Sequence, residues 1–275
     1  MTTDFGLHDT YVGTMKGVIL GLNPQASIVD LTHEVPPQNL REAAFAVYTA
    51  YRYFTKETVH VVVVDPGVGS TRRAVVLLTP RGIFVGPDNG VFSLVIGEEA
   101  RLTGTPISEE GGLIKLPPIM TAIDLQNKEY WLPAISTTFH GRDVFAPVAA
   151  QLSMGLDPHR LGETIDSLNT FRARRPHVNN RGVMVGAIIH TDRFGNMVTN
   201  ITKQHLADFG DEDVIITVGD RQIKGLSTAY VGVEPGQVLA LIGGSDHLEI
   251  AARNGSAQRL LGLSAGDKIF VLPAS

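Results

Sequence analysis

A carboxylate, a glycine turn and two arginines lie close together in Asp65-Pro66-Gly67-Val68-Gly69-Ser70-Thr71-Arg72-Arg73. An aspartate beside an arginine can hold or deprotonate a water, with the guanidinium keeping the carboxylate ionised and oriented. The same pair can equally brace a turn, and this stretch alone leaves both readings open. Two familiar readings of glycines after a strand fail here: a dinucleotide fingerprint needs a third glycine before a helix, and a P-loop needs Gly-Lys-Ser/Thr. A third candidate is His140, in Phe139-His140-Gly141-Arg142-Asp143. It falls at or just before a predicted helix N-terminus, where the partial positive charge disfavours imidazolium. His140 with Asp143 is too thin a ligand set for a metal, and no recognised ligand spacing repeats elsewhere, so none is expected.

The elements that must position these groups are legible around them. Val61 to Val64 reads as a strand covered on both faces, and ligands of open α/β sheets sit outside the carboxyl ends of such strands, where Asp65 emerges. Ala74 to Leu78 predicts the next strand, so a sharp connection should hold Asp65 near Arg72. Before them, Val12, Met15, Ile19 and Leu22 recur at helical spacing from Asp9, an expected N-cap, to Asn23-Pro24. Asp4 and Asp9 thus flank a strand-to-helix loop, and the abrupt start before Asp4 reads as a trimmed N-terminus. Ala26 to Leu31 predicts a strand. Pro36-Pro37 opens a helix carrying Leu40, Ala43, Ala44, Val47, Tyr51 and Phe54, and Gly82 to Val85 is a strand running into Gly86-Pro87-Asp88-Asn89-Gly90. Val144, Val148 and Leu152 mark a helix after His140; Leu102 to Ile123 gives no clear pattern. Alternating strands and helices imply an α/β domain with a mostly parallel sheet over residues 1–171.

Residues 172–181 break into Arg, Pro and Asn and read as a linker. Residues 182–275 change character. Val183–Ile189, Met197–Ile201, Val214–Val218, Gln222–Gly225, Val238–Ile242, Leu248–Ala252 and Lys268–Leu272 are predicted strands, with one short helix near Lys203 to Phe209. An all-β, antiparallel barrel or sandwich follows. The loops Asp192-Arg193-Phe194-Gly195-Asn196 and Gly243-Gly244-Ser245-Asp246 within it are polar, and alone they read as turn chemistry.

The 275 residues carry a formal charge of -5 and no cysteine, so disulfides and thiolate metal sites are absent and a nucleic-acid partner is not expected. No apolar run is long enough to span a bilayer and no signal-peptide pattern begins the chain, so a cytoplasmic location is expected.

Taken in series, Thr3-Asp4-Phe5-Gly6, Val64-Asp65-Pro66-Gly67-Val68-Gly69-Ser70 with Arg72-Arg73, Gly86-Pro87-Asp88-Asn89-Gly90, Phe139-His140-Gly141-Arg142-Asp143, Asp192 with Phe194-Gly195-Asn196, and Ala252-Arg253-Asn254 resemble the S-adenosylmethionine hydroxide adenosyltransferases. These are the water-using branch of a family that also holds the S-adenosylmethionine-dependent chlorinase and fluorinase. The resemblance implies displacement by water at the ribose C5′ of S-adenosylmethionine, giving adenosine and methionine, with no cofactor. It places the catalytic Asp–Arg–His set on Asp65, Arg72 and His140, the ribose contact on Asp4 and the methionine contact on Asp192. Asn196 falls where the adenine edge is read, Ser245 on the methionine carboxylate and Arg253 on a nearby motif position; Asp9, Asn89, Phe139 and Phe194 complete the expected substrate-binding set. The relatives place each site between neighbouring subunits of a trimer, so a homotrimer is expected in which neither half of the chain works alone.

Departures from the halide-using relatives favour water. Asp65 stands where those enzymes have a tyrosine, and a carboxylate repels a halide that must be desolvated. Gly141 at the place of the fluorinase's serine does not by itself exclude chloride; Asp246 replaces an arginine and Gln38 a ligand-side tryptophan. Two alternatives stay open on the sequence: a halide-using adenosyl transferase, and a noncatalytic sensor that binds adenosine or S-adenosylmethionine.

Overall fold

A computed structural model of the protein describes residues 1–108, 110–173, 175–210 and 213–274. The chain divides into two compact units, Met1–Ala173 and Arg174–Ser275.

The first unit is α/β. Its strands are β1 (Thr2–Thr3), β2 (Val59–Val63), β3 (Ala74–Thr79), β4 (Gly82–Pro87), β5 (Gly112–Lys115), β6 (Thr121–Leu125), β7 (Gly162–Ile165) and β8 (Ser167–Thr170), and its helices are α1 (Tyr11–Leu22), α2 (Leu40–Ala50), α3 (Ser93–Leu102) and α4 (Ala146–Ser153). Six strands form one sheet in the order β1-β2-β4-β3-β6-β7, and β5 pairs with β8 apart from it. Parallel pairing runs through β1, β2 and β4, where Thr3 faces Val63 and Val61 faces Val85. Beyond β4 the neighbours are antiparallel, because β3 and β4 form a hairpin closed at Thr79 and Gly82.

The valine strand is covered on both faces, as its composition predicts. Val62 packs with Ala43 and Val47 from α2, with Tyr51 just beyond that helix, and with Val95 and Ile96 from α3. Val61 and Val63 face Met15 and Ile19 from α1 and Val148 and Leu152 from α4. Burying a Val or Leu side chain contributes about 1.5–3 kcal/mol, so this two-sided layer anchors the strand that ends at Asp65.

Three local expectations are corrected. Residues 26–31 are not a regular strand: they lie along a two-residue β1, too short to support a ladder, and pair through Met1 N to Val29 O, Leu31 N to Met1 O and the bridge of Thr2 with Thr32. The N-cap of α1 is Thr10 and makes no side-chain cap, so Asp9 does not serve there. The helix after Pro36-Pro37 starts later, at Leu40, where the side chain of Asn39 accepts from Glu42 N.

The second unit is an antiparallel, nearly closed barrel with strands β9 (His177–Val178), β10 (Met184–Thr191), β11 (Met197–Thr202), β12 (Val214–Val218), β13 (Arg221–Lys224), β14 (Val238–Ile242), β15 (His247–Ala252) and β16 (Lys268–Pro273), plus helices α5 (Lys203–Phe209) and α6 (Ala257–Leu261). The order is β13-β12-β16-β10-β11-β15-β14, with β9 also on β10. The two ends approach through Ser227 N, which donates to Ala240 O just beyond β13. Met184, Ile188, Ile201, Ile216, Leu248 and Val271 fill the interior.

Candidate active site

Because β4 lies between β2 and β3, the segment from Asp65 to Arg73 crosses over the carboxyl end of β4. That crossing sets the site. Asn89, just past β4, donates from Nδ2 to Val64 O at 2.9 Å, and Arg73 clamps Asp88 through Nε at 2.9 Å and Nη2 at 2.6 Å. Asp88 also accepts from Asn169 N and Nδ2, so this buried carboxylate is fully occupied in holding the crossing. Gly69 has φ +77°, and a Cβ there would run into the Thr137 carbonyl. Only glycine lets the turn lie against the segment that carries His140.

The three sequence-predicted catalytic residues meet. Arg72 Nε donates to Asp65 Oδ1 at 2.9 Å and Arg72 Nη2 donates to Asp65 Oδ2, a bidentate pair whose side chains are 10% and 5% exposed. Nη2 also lies 2.9 Å from His140 Nδ1. A guanidinium has donors only, so Nδ1 is the acceptor and the ring proton sits on Nε2. Burial first, and then the Arg72 charge, push His140 below the ordinary imidazole range against the opposing pull of Asp65 and Asp143. The neutral ring expected from the helix end therefore has a different cause, and the end itself is a π turn over Gly141–Phe145, with Pro147 inside the first turn of α4. Asp143, fully buried, accepts from Ser136 N at 2.7 Å and from Arg142 Nε at 2.5 Å, which fixes the 136–140 segment.

Around this centre, Phe139 packs with Phe5 and Tyr11 at ring separations of 5.8 and 5.1 Å. Asp4 accepts from Gln38 N at 2.8 Å, with Gln38 held at φ +64°. His33, behind that loop, takes Thr3 Oγ1 at 2.8 Å and accepts Gly6 N on its carbonyl. Asp9 is exposed, and among the described residues its Oδ1 lies 3.7 Å from Nδ1 of exposed His8.

In the second unit the expected ligand residues form loops of their own. Asp192 Oδ1 accepts Phe194 N and Asn196 N at 2.9 and 2.8 Å, and Oδ2 accepts Asn196 Nδ2 at 2.9 Å. Phe194 is 76% exposed while Asn196 is buried. Ser245 O accepts from His247 Nδ1 at 2.7 Å, and Arg253 Nη1 donates to Val233 O at 2.7 Å. Sequence reasoning missed Glu249 and Tyr230, whose raised pKa values reflect burial first, with Asp192 adding to both. The only trace of Glu249 in the sequence is a lone carboxylate inside the apolar run Leu248-Glu249-Ile250. Among the described residues no group of three or more His, Asp or Glu side chains could hold a metal ion, and no helix is long and apolar enough to cross a membrane.

Two family models match the chain: the SAM hydroxide adenosyltransferase N-terminal domain over residues 1–162 and its C-terminal domain over residues 186–270. The chain is 38% identical to an (R)-S-adenosyl-L-methionine hydrolase of Thermus thermophilus, covering 98% of this chain and 97% of that protein. It is 33% identical to one from Salinispora tropica, over 98% and 95%. A fluorinase of Actinoplanes is more distant, 26% identical over 76% of this chain and 72% of the other. A crystal structure from Thermotoga maritima superposes with a TM-score of 0.85 at 37% identity, covering 98% of both chains. With both halves matched and hydrolases aligned over almost its whole length, the chain belongs to the SAM hydroxide adenosyltransferase family.

Proposed function

We propose that the protein is an S-adenosyl-L-methionine hydrolase that joins water to the ribose C5′ and releases adenosine and L-methionine. The observation that carries the reading is the Asp65–Arg72–His140 array, together with full-length similarity to proteins named for this activity. The substrate brings its own leaving group, since displacement converts a sulfonium into a neutral thioether. What the protein must supply is a positioned water and a proton acceptor, the latter worth roughly 10²–10⁴-fold.

In this reading the two roles divide. His140 Nδ1 is occupied by Arg72 and Nε2 already carries the ring proton, so His140 can offer a hydrogen bond but takes no proton while that contact stands. Asp65 is the acceptor: each of its oxygens takes one Arg72 donor and keeps a further lone pair for water. The C5′–O bond forms as the C5′–S bond breaks, and the water proton passes to Asp65. The binding roles assigned by resemblance to Asp4, Asp9, Asn89, Phe139, Asp192, Phe194, Asn196, Ser245 and Arg253 are part of this proposal, as are metal-free turnover, a homotrimer and a cytoplasmic location.

The test is incubation of purified protein with S-adenosylmethionine in ¹⁸O-labelled water, with and without a chelator. Label should enter the adenosine 5′-hydroxyl in both. Label in methionine alone, or loss of turnover on chelation, overturns the mechanism. Chloride should give no chloroadenosine, and light scattering should return the mass of three chains.

A further inference from the structure

Asp4, the expected ribose residue, is held by backbone. Its Oδ2 accepts from Gln38 N at 2.8 Å, and each oxygen keeps a lone pair, which suits a pair of neighbouring hydroxyls. Where that carboxylate points is decided by the chain on either side of it, and both sides are tied to one residue, His33. Buried Thr3 places Oγ1 2.8 Å from His33 Nδ1 and also accepts Phe5 N at 3.3 Å, while Gly6 N donates to the His33 carbonyl at 2.8 Å. His33 is itself only 3% exposed.

The ring is fixed from behind. Its Nε2 lies 2.9 Å from Asp30 Oδ1, off the line of a good hydrogen bond but near enough for the carboxylate to keep the ring proton on that side. Nδ1 is then an acceptor, and the Thr3 hydroxyl donates to it while taking the Phe5 N–H. Asp30 Oδ2 in turn takes Lys16 Nζ of α1 at 2.5 Å. A row of contacts thus runs from α1 through Asp30 and His33 to the residue before Asp4, and each member has a defined donor or acceptor role. Supporting rows of this kind hold a ligand-binding group in its productive geometry, so that loss of one member weakens binding without removing any contact to the ligand.

We propose that His33 is a positioning residue for the ribose of the substrate: its ring and its carbonyl hold Thr3 and Gly6 so that the Asp4 carboxylate meets the 2′- and 3′-hydroxyls together. This rests on the reading of Asp4 as the ribose contact. His33, buried behind the loop, acts through Asp4 and not on the substrate.

The test reads Kd by calorimetry for adenosine and for 2′,3′-dideoxyadenosine in wild type, His33→Leu, His33→Asn, Asp4→Asn and the double variant of Asp4→Asn with His33→Leu. His33→Leu removes the acceptor for Thr3 and should weaken adenosine roughly tenfold while leaving the dideoxynucleoside within about twofold of its wild-type value. His33→Asn, whose side-chain oxygen stands in for Nδ1, should recover most of that loss. In the Asp4→Asn background His33→Leu should add no further loss on adenosine, because the two residues act as one unit. If His33→Leu does not fold, His33→Gln, which reaches toward Asp30 instead of Thr3, takes its place with the same expected loss. Equal losses on both nucleosides, full additivity with Asp4→Asn, or no loss on adenosine overturns the assignment. Wild type that fails to prefer adenosine to the dideoxynucleoside overturns it too, since the ribose reading of Asp4 then falls. Wild type that binds adenosine but leaves S-adenosylmethionine intact refutes the hydrolase reading alone, and the Kd values still decide the role of His33.

Discussion

The two units handle charge in opposite ways. In the first, the ionised side chains of the site are matched inside the fold: Asp65 with Arg72, Asp88 with Arg73 and Asn169, Asp143 with Arg142. In the second, Asp192 is absorbed by its own turn and Phe194 projects into solvent. A network complete before any ligand arrives suits a step that must align water and a base, since its groups need not reorganise during the reaction. Polar loops with exposed side chains suit recognition, where the ligand completes the set.

Asp65→Asn gives the largest effect expected from this contrast. Turnover should fall by roughly 10²–10⁴-fold with little change in KM, because the lost interaction acts in the transition state. A steady-state assay that found KM rising instead would erase the distinction between the units.

His60 is the exception within the first unit and sharpens the comparison. It is 5% exposed, stacks on Phe84 at 4.9 Å, and leaves Nε2 unpaired. Burial, with a smaller push from the N-terminal ammonium, lowers its pKa from 6.5 to about 4. The folded protein therefore binds the proton less readily than the unfolded chain. Stability is complete above pH 6.5 and falls as pH drops toward 4, by roughly 3 kcal/mol at about 1.4 kcal/mol per tenfold change in proton affinity. Urea unfolding across this window should show the slope in wild type and a flatter profile in His60→Leu.

Asp192→Ala should act on both loop and ligand. Removing an acceptor of three hydrogen bonds should lower stability by about 1–3 kcal/mol and raise KM more than it lowers kcat. A pure kcat defect, measured under saturation, would move the second unit into the chemistry.

The smallest effect concerns pH and rate. Because burial and Arg72 hold His140 below its ordinary range, kcat/KM should stay level through pH 6.5 and decline only in more acidic solution. In Arg72→Gln the acid limb should shift toward higher pH, read from the residual activity.

Much of this contrast was legible in the sequence. The strands Val214–Val218 and Val238–Ile242 match β12 and β14 residue for residue, because short apolar runs bounded by glycine and aspartate turns leave little choice of where the strand begins and ends. The valine run, its carboxyl-end Asp65 and the pairing with Arg72 were equally readable, being local. The hairpin that makes half of the first sheet antiparallel was not, because strand order depends on contacts far apart in the chain. Helix α6, with five residues, is too short to show a period. Glu249 was illegible for the same kind of reason: its setting comes from Val198, Leu241, Gly243 and Asp192, brought together by folding.

The contact between Gly69 and the Thr137 carbonyl works as a mechanical stop. Backbone meets backbone there, with no rotatable side chain to absorb an error, so the spacing between Arg72 and His140 is set by hard-core repulsion as much as by attraction. A graded series at position 69, Ala and then Val, should translate added bulk directly into displacement of the histidine segment. The chain's tolerance to change at this remote-looking turn is thereby tied to the tolerances of the reaction itself.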